Sequence, residues 1–196
     1  MKRSLLFILA IFVILGLFSI QSINTIPALE ETVQAQWSQV LNQYKRRSDL
    51  IPQLVKTVQG AANFEKSTLQ NVVEARRVVD KLTPDKVDIT NPEEMKSYIA
   101  AQDHLGSALS RLLMVVERYP ELKTTENFMT LQSQIEGTEN RLAVARHDYI
   151  QAVRNFNMNI RTFPGSIWNF LFFHKEKLPN FEVSEDITKI PDVKFE

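Results

Sequence analysis

Two clusters of ionisable side chains hold what chemistry this chain can offer. In residues 136–148, "EGTENRLAVARHD", Glu136, Glu139, Arg141, Arg146, His147 and Asp148 supply acids, bases and cations. Catalysis by such a set requires several of its members to face one pocket together. The plainer reading is a helix surface, where Glu/Arg pairs at i, i+3 and i+4 spacing contribute about 0.2–0.5 kcal/mol each, and no catalytic residue is assigned. In residues 44–60, "YKRRSDLIPQLVKTVQG", three cations precede Asp49. One reading is a solvated face with local pairing worth about 0–1 kcal/mol, Lys45, Arg46 and Arg47 turning away from the core. The sharper reading makes Arg46, Arg47 and Asp49 inter-helix ties or a patch that another protein recognises.

The rest of the composition removes whole classes. With 23 basic and 23 acidic residues there is no field to attract nucleic acid. The chain has no cysteine, which excludes disulfides, thiolate catalysis and thiolate-bound zinc or iron–sulfur clusters. His104, His147 and His174 lie far apart and form no HExxH-type pair. No metal and no cofactor is expected.

The elements that would position these residues begin with an anchor. Residues 4–20, "SLLFILAIFVILGLFSI", carry no charge, and the uncharged stretch extends to residue 29. About 20 helical residues cross a hydrocarbon core, so one membrane span fits. The run is too long, and its end too poor in small residues, for a cleaved signal peptide. Lys2 and Arg3 precede it, while the next cation after it is Lys45. The expected topology is a single-pass protein of the bacterial inner membrane, N-terminus inside and the remainder outside, in the periplasm.

Beyond the anchor the pattern is helical. Steps of four and three from Trp37 pass through Leu41, Tyr44, Ser48, Ile51, Val55, Val58, Ala62, Glu65, Leu69, Val72, Arg76 and Val79, a largely apolar heptad-like seam. Pro52 either kinks this helix, as the unbroken phase suggests, or starts a new one after an Asp49 cap. Gly60–Asn63 offers a break. Residues 82–91 read as a loop ended by "NPEE", an N-cap with proline and acids behind it. The helix starting there carries Met95, Tyr98, Leu105, Leu109, Leu112, Val116 and Tyr119 on one side, and the last helix, over residues 125–163, carries Phe128 to Phe163 on its own. The fold class is all-α: a transmembrane helix followed by an elongated antiparallel up-and-down bundle of four helices, or three.

The segments "WSQVLNQYKRRSDLIPQLVKTVQG", "VVEARR", "YPELKTTENFMTLQSQIEGTENRLAVARHDYIQAVRNFNMNIRTFPG" and "KIPDVKF" strongly resemble LemA-family proteins, from about residue 24 to residue 195. The resemblance implies one N-terminal span, a four-helix antiparallel bundle and no established biochemical activity. It also implies neighbours: membrane proteins with a TPM domain, a membrane zinc protease and, for some relatives, magnetosome membrane formation. Four helices require the first region to split, with residues 60–63 as the available place. A fourth antiparallel helix then returns to the bilayer.

That return would bring "PGSIWNFLFFHKEKLP", residues 164–179, to the membrane. Trp168, Phe170, Phe172 and Phe173 followed by Lys175 and Lys177 fit an interfacial segment; they equally fit aromatics folding back onto the bundle's base. The tail, with Phe181, Val183, Ile187, Ile190, Val193 and Phe195, is expected to lie extended along a helix. Three regions result: a stub and anchor (1–26), a helical bundle (27–163), and an aromatic segment with tail (164–196). The functional expectation is a non-enzymatic, membrane-anchored module that scaffolds other envelope proteins, or a lipid-contacting structural protein acting through residues 164–179.

Overall fold

The computed structural model describes residues 2–60, 64–82 and 87–181, with side chains from residue 21 onward. Four long helices dominate: α1 (Lys2–Gln59), α2 (Lys66–Lys81), α3 (Pro92–Val116) and, after the single turn α4 (Pro120–Lys123), α5 (Glu126–Asn159). A short α6 (Gly165–Trp168) continues into a π turn, Asn169–Phe173. Among the described residues there is no strand.

At 58 residues, α1 is about 87 Å long. It passes through both Pro27 and Pro52 without interruption. Both prolines are exposed, so each missing N–H bond faces the solvent side, while Ile51 and Leu54 stay buried across the second proline. The first helical region does split, α1 ending at Gln59 and α2 starting at Lys66. Ala62 and Asn63 of the anticipated break, and Pro84 of the next loop, lie outside the described residues.

Local signals set the other boundaries. Asn91 caps α3: its Oδ1 accepts from the Glu93 and Glu94 amides at 3.1 and 3.4 Å, and its amide donates to Glu94 Oε1 at 3.0 Å. The last helix ends at Asn159 instead of residue 163. Phe163, expected on its inner side, is 77% exposed. The chain has already left the helix there, turning toward Pro164 and Gly165.

Contacts define the topology. α1 packs mainly on α5 and α2 on α3. Residues 37, 44 and 47 of α1 meet residues 149, 146 and 139 of α5, an antiparallel pairing. Ser48 of α1 meets Arg76 of α2, and Glu65, the N-cap residue of α2, meets Arg118, just beyond the end of α3. The result is an up-down-up-down bundle with α1 and α3 parallel, Tyr44 meeting Tyr98 and Arg47 meeting Gln102.

Its core has two parts. One is aliphatic, built on Leu50, Ile51, Leu54, Val58, Leu69, Val72, Leu105, Leu109, Leu112 and Ile135. The other is ringed with aromatics: Trp37, Tyr44, Tyr98, Tyr149 and Phe156 with Ile26, Val33 and Met95. Among the described residues no helix is long and apolar enough to cross a membrane; the side chains of the expected span, residues 4–20, lie outside the described residues.

Candidate functional site: a buried polar layer and an aromatic foot

Each long seam is a heptad; on α1 it shares Trp37, Tyr44, Ile51 and Val58 with the seam read from Trp37 but takes Val40, Arg47 and Leu54 in place of Leu41, Ser48 and Val55. On α1 it runs Val33, Trp37, Val40, Tyr44, Arg47, Ile51, Leu54, Val58, and every member is buried. Leu41 and Val55, chosen by the other phase, are only half-buried. On α3 the seam runs Met95, Tyr98, Gln102, Leu105, Leu109, Leu112, Val116, and on α5 Phe128, Leu131, Ile135, Thr138, Leu142, Ala145, Tyr149, Ala152, Phe156, again all buried. Three polar members, Arg47, Gln102 and Thr138, therefore stand in seam positions, and they divide the aliphatic from the aromatic core.

Arg47 is the centre of this layer. It is 2% exposed, where one of the two readings of "KRRSD", the solvated face, turned it outward. One terminal nitrogen donates to Glu139 Oε1 at 3.0 Å; the other donates to both the backbone oxygen and Oε1 of Gln102 at 2.7 Å. The Gln102 amide in turn donates to the Tyr98 hydroxyl at 2.9 Å. One arginine thus joins α1 to α3 and α5 with charge-assisted bonds. Its guanidinium also lies 5.3 Å from the Tyr44 ring centroid. Space for it depends on Gly106, where a Cβ would come within 3.1 Å of the guanidinium. Arg47 Nε is buried with no partner among the described residues.

A second arginine braces the next turn. Arg146 donates to the Tyr44 hydroxyl from two nitrogens, at 3.1 and 2.7 Å, and to Asp103 Oδ1 at 2.7 Å. Burial pushes the Tyr44 phenol above its usual range against the pull of Arg146. Burial alone would lower Arg146, but Tyr44 and Asp103 outweigh it and hold the cation more firmly. Tyr149 is raised by burial, and its hydroxyl has no partner among the described residues.

The remaining candidates separate. Arg46 and Asp49 are exposed. Glu136, Arg141, His147 and Asp148 are exposed as well, while Glu139 and Arg146 are engaged as above. No three metal-ligating side chains come together among the described residues. A groove of about 1520 Å³ lies between α3 and α5, and its lining includes Arg47, Leu113, Met114, Ile135 and Glu139 but not His147.

At the other end the aromatic segment docks under the bundle. Trp168 Nε1 donates to Ser22 Oγ of α1 at 3.1 Å, and Lys175 pairs with Glu30 at 2.7 Å. Trp168 and Phe173 pack against the aromatic core, whereas Phe170, Phe172 and Lys177 are exposed. Residues 174–181 then climb between α1 and α5. Asn157 holds the Leu178 backbone with two bonds, 2.9 and 2.8 Å, and the Phe181 ring lies tilted 6.4 Å from Trp37 and edge-to-face 5.5 Å from Tyr149. Val183, Ile187, Ile190, Val193 and Phe195 of the expected extended tail lie outside the described residues.

A model of the LemA family matches residues 36–195. The chain belongs to the LemA family. Magnetosome protein MamQ 2 and Magnetosome protein MamQ 1 of Paramagnetospirillum magneticum are each 26% identical to this chain over 166 residues, covering 76% of this chain and 60% of the relative. Protein LemA of Metamycoplasma hominis is 30% identical over 119 residues, 61% of this chain and 50% of the relative. The matches thus span less than two thirds of these relatives' length. The family match includes the polar layer and the aromatic foot.

What the linear pattern missed is the burial of Arg47 and Gln102 and the coupling of Tyr44 to Arg146. The signal was present as steps of three and four from Trp37, through Val40, Tyr44, Arg47, Ile51 and Leu54, in place of steps of four and three, and a charge in an otherwise apolar lane obscured it.

Proposed function

We propose that this protein is a membrane-tethered, non-enzymatic helical module that organises other envelope proteins. The observation that carries this reading is the groove between α3 and α5. Leu113 and Met114 give it apolar contact, Met114 being 72% exposed, and Arg111, Arg118 and Glu136 give it charges of both signs. That is a recognition surface rather than a reaction centre: its ionisable groups are exposed or already committed to structural bonds, and no acid–base pair converges on a reacting position. An amphipathic helix from another membrane protein suits its shape and chemistry.

Membership of a family whose relatives include proteins named for the magnetosome supports membrane association. The tether is the uncharged run at residues 4–20, and Lys2 and Arg3 orient the bundle outward, into the periplasm. A reporter fused after Glu196 should be active only outside the cytoplasm. By family resemblance, a TPM-domain protein or a membrane protease is the kind of partner to test.

The direct test is in-cell photo-crosslinking from Met114, with exposed Gln39 on α1 as the reference position. A recurrent membrane protein recovered from Met114 and not from Gln39 is the expected result. Recovery of no protein at Met114, with the chain expressed and folded, would end the scaffold reading.

A further inference from the structure

The end of the bundle to which α5 returns carries apolar surface that a partner groove on α3 and α5 leaves unused. Phe163 is 77% exposed, Phe170 75%, Phe172 62%, Leu171 53% and Ile167 46%. All five lie within residues 163–172, so they form one local concentration. Soluble monomers rarely leave such a patch in water without a use for it.

The patch is held in place, not trailing. A Cβ at Gly165 would lie 2.3 Å from the Asn159 backbone oxygen, so glycine is what lets α6 fold tightly against the end of α5. Asn169 closes the following turn, its amide donating to the Lys175 carbonyl at 3.0 Å and its Oδ1 accepting the Lys175 N–H at 2.8 Å. His174 takes a left-handed backbone, φ 52°, to allow that closure. Trp168 and Lys175 then pin the unit to Ser22 and Glu30. Its inner rings face the core and its outer rings are bare.

The geometry points to a second membrane contact: the rings of this foot enter the headgroup–acyl boundary of the leaflet from which α1 emerges. The inference rests on the membrane-tethered reading above. Three observations select lipid as the occupant. The foot is bonded to residue 22, and the uncharged run of residues 4–20 immediately precedes that residue in the same helix. Its exposed surface is phenylalanine and leucine beside a tryptophan whose N–H is satisfied, the composition of an interfacial belt. Its exposed charge is suited to anionic headgroups, with Arg161 and Lys177 against Glu176, Lys175 being paired with Glu30. With anchor and foot both engaged, the bundle stands in one orientation instead of swinging on its tether.

The chain has no cysteine, so single cysteines report cleanly. The full chain is reconstituted in phosphatidylcholine–phosphatidylglycerol vesicles with Phe170→Cys, Phe172→Cys, Ser38→Cys or Ile11→Cys carrying a fluorophore. Quenching by a nitroxide fixed on the lipid acyl chains is then measured. Thermal melts matching the unlabelled chain verify that each variant is folded. Expected is several-fold stronger quenching at positions 11, 170 and 172 than at position 38. Quenching at 11 with none above the position-38 level at 170 and 172 overturns the foot and leaves the tether intact, assigning the patch to protein or water. No quenching at 11 overturns the tethered reading itself, and the foot with it.

Discussion

The two halves of the bundle use the same helices and the same heptad, yet are filled differently. Beyond Arg47, toward the α1–α2 turn, the seams hold mainly leucine, isoleucine and valine, with Phe128 at the start of α5. Before it, toward Ser22, they hold tryptophan, tyrosine and phenylalanine, each hydroxyl needing a donor or acceptor. The aliphatic half takes Phe64 from the connection between α1 and α2. The aromatic half also takes Leu178 and Phe181 from the C-terminal segment. Aliphatic slots tolerate exchange of similar shapes, so that half supplies stability without strongly choosing an alignment. Rings with polar tips and a buried arginine satisfy their bonds in one alignment only, which sets how the helices stand against one another.

The largest effect should come from the aliphatic half. Leu54→Ala removes a fully buried side chain and should cost about 4 kcal/mol, read from urea unfolding in micelles. Arg47→Ala at the boundary should cost about 3 kcal/mol, because a buried stem is lost and Gln102 and the half-exposed Glu139 lose their donor. Arg47→Met keeps the volume and should recover most of that stability, but with broadened or doubled amide resonances in α1 and α3 as register loosens. A single sharp spectrum for Arg47→Met would break the division of labour between the halves.

Gly165→Ala should cost about 2 kcal/mol through its clash with Asn159. The loss should be local, speeding hydrogen exchange over residues 165–178 while residues 50–58 stay protected. Asn91→Ala, which uncaps the helix delivering Met95 and Tyr98 to the aromatic half, should cost about 1 kcal/mol in the same unfolding assay.

Smallest is Tyr149→Phe, expected to change stability at neutral pH by less than about 1 kcal/mol, since its buried hydroxyl has no partner among the described residues. Its signature is alkaline. The folded-state phenols of Tyr44 and Tyr149 are raised above the ordinary value of 10.0, so their contribution is complete below pH 10 and is lost as pH rises toward the folded values. Tyr149→Phe should flatten that loss in a pH series of melting temperatures. An unchanged alkaline slope would mean Tyr149 does not titrate against burial.

Much of this architecture is legible in the sequence. The N-cap at Asn91, the loop before it, the last long helix, though read over residues 125–163 where it ends at Asn159, and the seam residues Trp37, Tyr44, Ile51 and Val58 follow from period and capping chemistry, which act within a turn or two. Pro52 was ambiguous because the local cap signal at Asp49 and the longer apolar phase disagreed. Phe163 misled because period continues on paper after the backbone has turned.

Residue types and spacing by themselves determined that the chain is helical, that it lacks thiol chemistry, and that an uncharged run leads into long apolar stripes. Only the tertiary structure decided that Arg47 is inside and its neighbour Arg46 outside. It also decided that Tyr44 answers to Arg146 and that the aromatic segment is split between core and surface. These outcomes depend on partners 55 to 146 residues away, such as Gln102 for Arg47 and Ser22 for Trp168. A buried charge or an indole is stabilised by groups that pattern along one helix does not encode.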